Sequence, residues 1–157
     1  MAMISGMRIE LGHPGDAHEI SKHSSIAIEQ GLRQTWTAHR VRNALEDAET
    51  NVAVARDGAR VVGFGIMTYA DASAHLNLLA VDAAYRRRGI GSALLAWLEK
   101  CARTAGLAVV KAEVRFENPA GRAFYRANGF AEGERLVGYY QGIEDALRLQ
   151  KRVYTPS

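Results

Sequence analysis

The spacing of hydrophobic and polar positions predicts the elements at the start of the chain. Met7–Leu11 alternates as a short strand does, and Pro14-Gly15-Asp16 separates it from a helical stretch that runs to about Gln30. Apolar residues spaced three and four apart then predict a second helix within residues 37–48. The chain therefore opens with a strand and two helices.

The middle of the chain shows β-rich runs followed by an amphipathic helix. NVAVARDGARVVGFGIMTY, residues 51–69, turns at Asp57-Gly58, a dipeptide typical of tight hairpins, so we expect an antiparallel hairpin. AHLNLLAV, residues 74–81, predicts a third strand of the same sheet. Apolar residues from Ile90 to Cys101 then recur at steps of three and four, which predicts a helix that Gly106 ends.

The last third of the chain completes the pattern. AVVKAEV, residues 108–114, predicts a strand, and NPAGRAFYRANGF predicts a short helix with Asn118 as its N-cap, Pro119 in its first turn and Gly129 at its end. FAEGERLVGYY and DALRLQKRV predict a closing hairpin. The sum is an α/β fold of the α+β type, with a mixed, mostly antiparallel sheet of six or seven strands and helices on both faces.

Length and composition narrow the class of protein. The 157 residues suit one domain, which we assign to residues 7–157, with 1–6 as an extension and a candidate for disorder. The single cysteine, Cys101, excludes an internal disulfide and suits a reducing cytoplasm. No apolar segment is long enough to span a membrane, and the five histidines show no ligand spacing. We expect a cytoplasmic protein with no membrane partner and no metal.

The stretch YRRRGIGSALLAWLEK, residues 85–100, is the first candidate binding site. Glycines before a helix let the backbone approach a ligand, and the helix start offers unpaired N–H groups that suit a phosphate or pyrophosphate. The dinucleotide fingerprint fails because Leu94 stands where its third glycine belongs, and the Walker A motif is absent. A net charge of +3 and the lack of interleaved aromatic residues argue against a nucleic-acid partner. A solvated arginine loop remains the alternative.

Two motifs in the expected order resemble the GNAT acyltransferase superfamily. LNLLAVDAAYRRRGIGSALLAWLEK resembles its acetyl-CoA motif, and NPAGRAFYRANGF resembles its second motif, one strand later. The resemblance implies acetyl-CoA as cosubstrate, held by backbone groups at a helix start and along a strand that splays from its neighbour. The cofactor-binding residues that it implies are Leu79, Ala80, Val81, Arg86, Arg87, Arg88, Gly89, Ile90, Gly91, Ser92 and Asn118.

Two residues are candidates for the chemistry that amine acylation requires. Tyr125 matches the family's tyrosine that donates to the departing thiolate, and this role is favoured over the alternative of a helix tyrosine that packs on the sheet. Glu113, in EVRFEN, resembles the glutamate assigned as general base in one subgroup of the superfamily, the bacterial ribosomal-protein alanine N-acetyltransferases; an exposed strand residue or salt-bridge partner is the alternative. Cys101 lies on an apolar helical stripe, so we expect direct transfer rather than an acyl-cysteine intermediate.

Two further segments resemble the bacterial ribosomal-protein alanine N-acetyltransferases most: GERLVGYYQGIEDALRLQKR, residues 133–152, and TWTAHRVRNAL, residues 35–45. This resemblance implies that Tyr139 and Tyr140 lie in a loop that closes over the substrate and that Trp36 forms a wall of the acceptor site. Gln141-Gly142-Ile143 departs from that group's spacing. We expect an N-acetyltransferase that acts on a primary amine, with a peptide α-amine slightly favoured over a small-molecule amine. We expect a monomer or a homodimer. A non-catalytic acyl-CoA-binding module stays an alternative function.

Overall fold

The computed structural model describes residues 2–4, 6–27, 32 and 35–154. The strands and α-helices of these residues are β1 Ala2–Ile4, β2 Met7–Leu11, α1 Ala17–Ala27, α2 Ala38–Glu46, β3 Thr50–Asp57, β4 Arg60–Tyr69, β5 Ala74–Val81, α3 Ile90–Thr104, β6 Val109–Arg115, α4 Pro119–Ala127, β7 Ala131–Tyr140 and β8 Glu144–Arg152. Short 3₁₀ turns at Pro14–Asp16 and Ala83–Tyr85 lead towards α1 and α3. The end expected for the first helix, residues 28–30, lies outside the described residues.

The strands form one sheet in the order β1-β2-β3-β4-β5-β6-β8-β7. Every neighbouring pair is antiparallel except β5 and β6. The mixed, mostly antiparallel α/β fold is thus confirmed, with eight strands where the sequence predicts six or seven. The added strand is β1, which pairs with β2 from Ala2↔Ile9 to Ile4↔Met7, in the segment that the sequence assigns to an extension.

Helices cover both faces of the sheet, as predicted, and each face has its own core. On one face α3 and α4 bury Leu94, Leu98 and Tyr125 in a cluster that also contains Met67 of β4. On the other face Ile20 of α1 and Val41 of α2 pack on Phe64 and Ile66. The helical stripes that the sequence shows are therefore core-facing stripes.

The parallel pair β5–β6 diverges soon after it begins. Its register covers only Ala74↔Val110, His75↔Lys111 and Leu76↔Ala112, although β5 continues to Val81 and β6 to Arg115. Beyond these three residue pairs the strands no longer share hydrogen bonds, so a cleft opens between them. The expected splay of the central strands is confirmed.

A β-bulge in β5 lies where the divergence starts. Ile66 of β4 pairs with Leu78 and Met67 pairs with Leu76, so Asn77 is the extra residue. The bulge changes which face the following side chains reach: Leu76 belongs to the α3 core, whereas Leu78 belongs to the α1 and α2 core. It also leaves Asn77 beside the opening of the cleft, where Asn77 is one of the lining residues.

Among the described residues, no helix has the length and apolar character that crossing a membrane requires.

A buried ion pair ties the turn before α1 to the sheet. The Arg56 guanidinium donates to Asp16 at 2.8 Å (Nη1–Oδ1) and 2.6 Å (Nη2–Oδ2), and both side chains are 6% exposed. Burial alone would raise the pKa of Asp16, but the hydrogen bonds from Arg56 and the His13 amide outweigh it and hold that pKa below its usual value. The pair therefore stabilises the fold above the ordinary pKa of aspartate, and this contribution is lost as the pH falls through the lower folded pKa.

We predict that Asp16→Asn lowers the free energy of unfolding by about 3–5 kcal/mol, because it removes the bidentate carboxylate partner of the buried Arg56 guanidinium and leaves it the more distant Glu10 carboxylate, 3.6 Å away. Urea denaturation at neutral pH measures the loss. Glu134→Gln is the matched control, since Glu134 pairs with Arg148 at 2.8 Å on the surface, and its loss should stay below about 1 kcal/mol. Equal losses in the two variants would contradict a structural role for the Asp16–Arg56 pair.

Candidate active site

The diverging strands enclose a cleft of about 960 Å³. Its walls come from the second half of β5, the loop into α3, the end of β6 and the start of α4. The predicted site residues that line it are Leu79, Ala80, Val81, Arg86, Arg87, Gly89, Ile90, Gly91, Ser92, Glu113, Asn118, Tyr125 and Tyr140. The structure therefore brings thirteen of the sixteen predicted residues to one cavity, and Arg88, Trp36 and Tyr139 are outside its lining.

The loop into α3 has the backbone shape of an anion cradle. Arg87 and Gly89 both adopt left-handed backbone conformations, with φ of 65° and 77°, and α3 begins directly afterwards at Ile90. The first hydrogen bond that closes a turn of α3 runs from the Ala93 N–H to the Gly89 carbonyl at 3.0 Å. The N–H groups before Ala93 belong to the helix start, where a helix has no internal acceptor and the positive end of its dipole favours an anion.

The arginine side chains of this loop are partly engaged by the loop itself. Arg86 Nε donates to the Val81 carbonyl at 3.3 Å, and the Arg88 guanidinium lies 5.0 Å from the centre of the Tyr85 ring. The Tyr85 hydroxyl donates in turn to Asp57 at 2.7 Å. These contacts hold the Arg86 and Arg88 side chains along the loop.

The second half of β5 presents one strand edge to the cleft. On its other edge it pairs with β4 through Gly65↔Leu79, Phe64↔Ala80 and Gly63↔Val81. The register with β6 has already ended at Leu76. An extended chain with amide groups could add to this edge as a further strand does.

Tyr125 enters the cleft from α4 and is held by aromatic contacts. Its side chain is 9% exposed, and its ring meets Phe124 and Phe130 edge to face at centroid distances of 5.2 Å and 5.3 Å. Burial raises the pKa of the Tyr125 hydroxyl well above its usual value, and nearby Tyr140 and Glu113 add to the rise. The hydroxyl therefore stays protonated at neutral pH.

Asn118 fixes the start of the helix that carries Tyr125. Its Oδ1 accepts a hydrogen bond from the Gly121 N–H at 2.9 Å, which makes it the N-cap that the sequence predicts. A Cβ atom at Gly121 would lie 2.5 Å from Asn118 Nδ2, so any other residue at this position would push against the capping side chain.

Glu113 reaches the cleft from β6, on the face opposite Val114. Its Oε1 accepts hydrogen bonds from His75 Nε2 at 2.7 Å and from the Tyr139 hydroxyl at 2.9 Å. Burial raises the pKa of Glu113, but the hydrogen bond and electrostatic attraction of His75, the hydrogen bond of Tyr139 and the charge of Arg148 outweigh it, so the pKa lies below its usual value. Glu113 is therefore a carboxylate at neutral pH.

The two tyrosines predicted for a closing loop are the last residues of strand β7. Tyr139 is 46% exposed, and its pKa is raised to about 12 by burial of the hydroxyl and by its hydrogen bond to Glu113. Tyr140 lines the cleft with its ring 5.0 Å from that of Tyr139. Tyr139 therefore donates a hydrogen bond to Glu113 although it is not one of the residues that line the cleft.

Trp36 lies away from the cleft lining. It packs against the core under α1 and α2, its carbonyl accepts from Ser21 Oγ at 2.8 Å, and the Arg40 guanidinium lies 3.8 Å from the centre of its ring. Trp36 is not among the residues that line the cleft, so its role as a wall of the acceptor site stays a prediction.

His75 and Asn77 are site residues that sequence reasoning did not identify. Both lie on β5, and His75 joins Glu113 only because β5 and β6 pair in parallel with His75 opposite Lys111. That register places His75 and Glu113 diagonally on one face, within reach of a hydrogen bond. Strand alternation alone indicates that His75 and Asn77 share a face, but the partner across the strand pair depends on topology.

The region of this chain that matches a known protein family contains nearly all of the residues that line the cleft. A model of the acetyltransferase (GNAT) domain matches residues 48–132, more than half of the chain. The chain belongs to the GNAT acetyltransferase family. The matched residues contain the hairpin, the cleft strands, α3 and α4, which are the elements that build the site.

Relatives within the family are similar over part of their length. An uncharacterized N-acetyltransferase of Methanocaldococcus jannaschii is 35% identical over 100 residues, 63% of this chain and 64% of that protein. The ribosomal protein bS18-alanine N-acetyltransferase of Salmonella typhimurium is 37% identical over 91 residues, 56% of this chain and 62% of that protein. The match thus spans slightly less than two thirds of either relative.

A solved structure resembles nearly the whole GNAT chain. Ard1 from Thermoplasma volcanium superposes with a TM-score of 0.84 at 25% identity, and the match covers 96% of this chain and 99% of that one. The architecture outside residues 48–132, including the closing hairpin, is therefore shared as well.

We predict that Gly89→Ala weakens binding of coenzyme A, because a left-handed backbone costs a residue with a Cβ roughly 1–2 kcal/mol and the loop would relax from its cradle shape. Gly106→Ala is the matched control: Gly106 has φ of 80° with open space where a Cβ would lie, and it lies beyond the far end of α3. Thermal unfolding should show similar destabilisation in both, whereas calorimetric titration with coenzyme A should show weaker binding only for Gly89→Ala. Unchanged binding in Gly89→Ala would contradict the cradle.

Proposed function

We propose that this protein is an acetyl-CoA-dependent N-acetyltransferase that moves an acetyl group directly to a primary amine, preferentially the α-amine of a protein or peptide. The observation that carries the proposal is the cleft between β5 and β6. It combines an anion cradle, an open strand edge, a protonated tyrosine and an ionised carboxylate in one cavity.

The cosubstrate would lie along the β5 side of the cleft. Backbone N–H groups from Arg87 to Ser92 would hold the pyrophosphate, with Arg86–Arg88 as flanking charge. Leu79–Val81 would pair with the amide groups of the pantetheine arm, and Asn118 would lie near its far end. With the cosubstrate bound in this direction, its thioester would lie in the part of the cleft that Tyr125 and Glu113 line.

Tyr125 would act on the departing sulfur. A thiol has an ordinary pKa near 8.5, so a thiolate is a far weaker base than the anion of a buried tyrosine. Complete proton transfer from Tyr125 would therefore be uphill, and its raised pKa favours a hydrogen bond that stabilises the developing thiolate.

Glu113 would accept the proton that the amine loses, through a water molecule. Its carboxylate is ionised and its Oε1 already has two donors, so it is an oriented but weak base. Such a base suits an α-amine, whose ordinary pKa near 8 leaves part of it neutral, better than a lysine amine near 10.4. The bS18-alanine N-acetyltransferase, whose name specifies an alanine of a ribosomal protein, supports the same acceptor class.

Direct transfer is supported by the position of the cysteine. Cys101 is half-buried on α3, it is not among the residues that line the cleft, and burial raises the pKa of its thiol. A thiol kept protonated and away from the thioester is a poor nucleophile.

We predict that Tyr125→Phe and Glu113→Gln each lower kcat by roughly 10²–10⁴-fold with little change in coenzyme A affinity, since the first removes the hydrogen-bond donor to the sulfur and the second the proton acceptor, while both keep the packing. Release of free coenzyme A in the presence of acetyl-CoA and a panel of N-terminal peptides and small amines measures turnover. Cys101→Ala serves as the control and should retain activity.

Two outcomes would redirect the proposal. Tight binding of coenzyme A without turnover on any amine, unchanged in Tyr125→Phe, would favour a non-catalytic acyl-CoA-binding module. Turnover on small amines with no effect of the gene on cellular protein N-termini, measured by mass spectrometry, would favour a small-molecule acetyltransferase.

The pH dependence of turnover provides a separate prediction. Because Glu113 is ionised well below neutrality, the fall in kcat/KM towards acid should follow the acceptor amine alone, at about tenfold per pH unit below its pKa near 8. Rates between about pH 5 and 9 on two acceptors whose amine pKa values differ test this. An acid limb that is independent of the acceptor amine's pKa would contradict it.

A further inference from the structure

Three polar side chains form a hydrogen-bonded chain behind Glu113. Thr68 Oγ1 donates to Asn77 Oδ1 at 3.1 Å, Asn77 Nδ2 lies 3.2 Å from His75 Nδ1, and His75 Nε2 lies 2.7 Å from Glu113 Oε1. Thr68 and His75 face each other across β4 and β5, and Asn77 is the bulged residue of β5. The chain thus runs across three strands and ends on the carboxylate at the cleft.

The chemistry of these groups allows one arrangement of protons when the imidazole is neutral. An amide nitrogen is only a donor, so His75 Nδ1 must accept from Asn77. The imidazole proton is then on Nε2, where it donates to Glu113. The Thr68 hydroxyl, which donates to the amide oxygen, keeps Asn77 in the orientation that this arrangement requires.

We propose that Thr68 and Asn77 fix the tautomer of His75, so that His75 donates to Glu113 Oε1 and leaves Oε2 to receive the proton from the acceptor amine. This inference rests on the proposed function, in which Glu113 accepts that proton. His75, Asn77 and Thr68 are positioning residues because they act through Glu113.

The distribution of donors on Glu113 supports this. Among the residues that the structure describes, both donors to its side chain, His75 and Tyr139, reach Oε1. Two donors on one oxygen hold the carboxylate in a single orientation and stabilise its charged form. Without such donors, burial would raise the pKa of Glu113 and favour its protonated form, which cannot accept a proton.

The other charged and titratable groups around this pair come from each neighbouring strand. They are Lys111 opposite His75 on β6, Tyr139 and Tyr140 on β7, Arg148 opposite Glu113 on β8, and Tyr125 from α4. Arg148 favours the charged carboxylate, and the tyrosines are protonated at neutral pH. None of them replaces the donor that His75 supplies to Oε1 from β5.

The central experiment compares His75→Leu with His75→Gln. Leucine removes the donor, whereas the glutamine amide can still donate to Glu113. For His75→Leu we expect kcat to fall by roughly tenfold, with coenzyme A affinity unchanged. Log kcat/KM against pH should steepen at the acid end of the profile from one proton towards two, because Glu113 now titrates together with the amine. His75→Gln should retain the one-proton slope.

Two controls separate positioning from general damage. Adding Glu113→Gln to His75→Leu should return the slope to one proton, because the second titrating group is gone. Thr68→Val should lower kcat, whereas Thr68→Ser, which keeps the hydroxyl, should retain it. A one-proton slope in His75→Leu with coenzyme A binding intact would overturn the proposal.

Nuclear magnetic resonance tests the tautomer without relying on activity. Nitrogen-15 spectra of the histidine rings, with the His75 signal assigned from its loss in His75→Leu, should show the neutral form protonated at Nε2. Asn77→Asp should favour the doubly protonated ring, because a carboxylate accepts from Nδ1. A neutral ring protonated at Nδ1 would overturn the proposal. A correct tautomer in a protein that acetylates no amine would instead count against the proposed function.

Discussion

The site depends on the early end of the hydrogen bonding between β5 and β6. A parallel pair normally shares evenly spaced bonds along its length, but here the pairing covers three residue pairs. The unpaired parts of both strands become the walls of the cleft, and their backbone groups are left for a ligand or for water. Helices on both faces keep the two strands in one sheet despite this opening, since each strand contributes to a shared core.

The same divergence separates two kinds of chemistry. On the β5 side lie backbone N–H groups and the positive end of α3, which suit the phosphates of a cosubstrate. Where the two strands begin to diverge lie two titratable groups whose environments move their pKa values apart. Burial among aromatic rings raises the pKa of Tyr125, whereas two hydrogen-bond donors lower the pKa of Glu113. Pairs of this kind typically assign the donor and the acceptor of a reaction.

Local signals in the sequence predict most of the fold because its turns and caps are locally encoded. Asp57-Gly58 makes the hairpin, Asn118 caps α4, and Gly89 takes the left-handed conformation before α3. Strand β1 could not be predicted because three residues are too few to show the alternation of apolar and polar positions that marks a strand. Its stability comes from pairing with β2. The positions of Tyr139 and Trp36 depend on tertiary packing, which the spacing of residues does not show.

The contact between His75 and Glu113 shows the limit of sequence reasoning at the site itself. Each residue lies on a correctly predicted strand, yet their meeting depends on a parallel register and their orientation on a bulge at Asn77. A bulge shifts every later side chain to the opposite face, so one extra residue decides which groups reach the cleft. The bulge also places an amide where it can bond the imidazole and the threonine hydroxyl together. The opening of the sheet and the orientation of its carboxylate thus begin at the same residue, and for this reason a local irregularity in β5 can serve both binding and proton transfer.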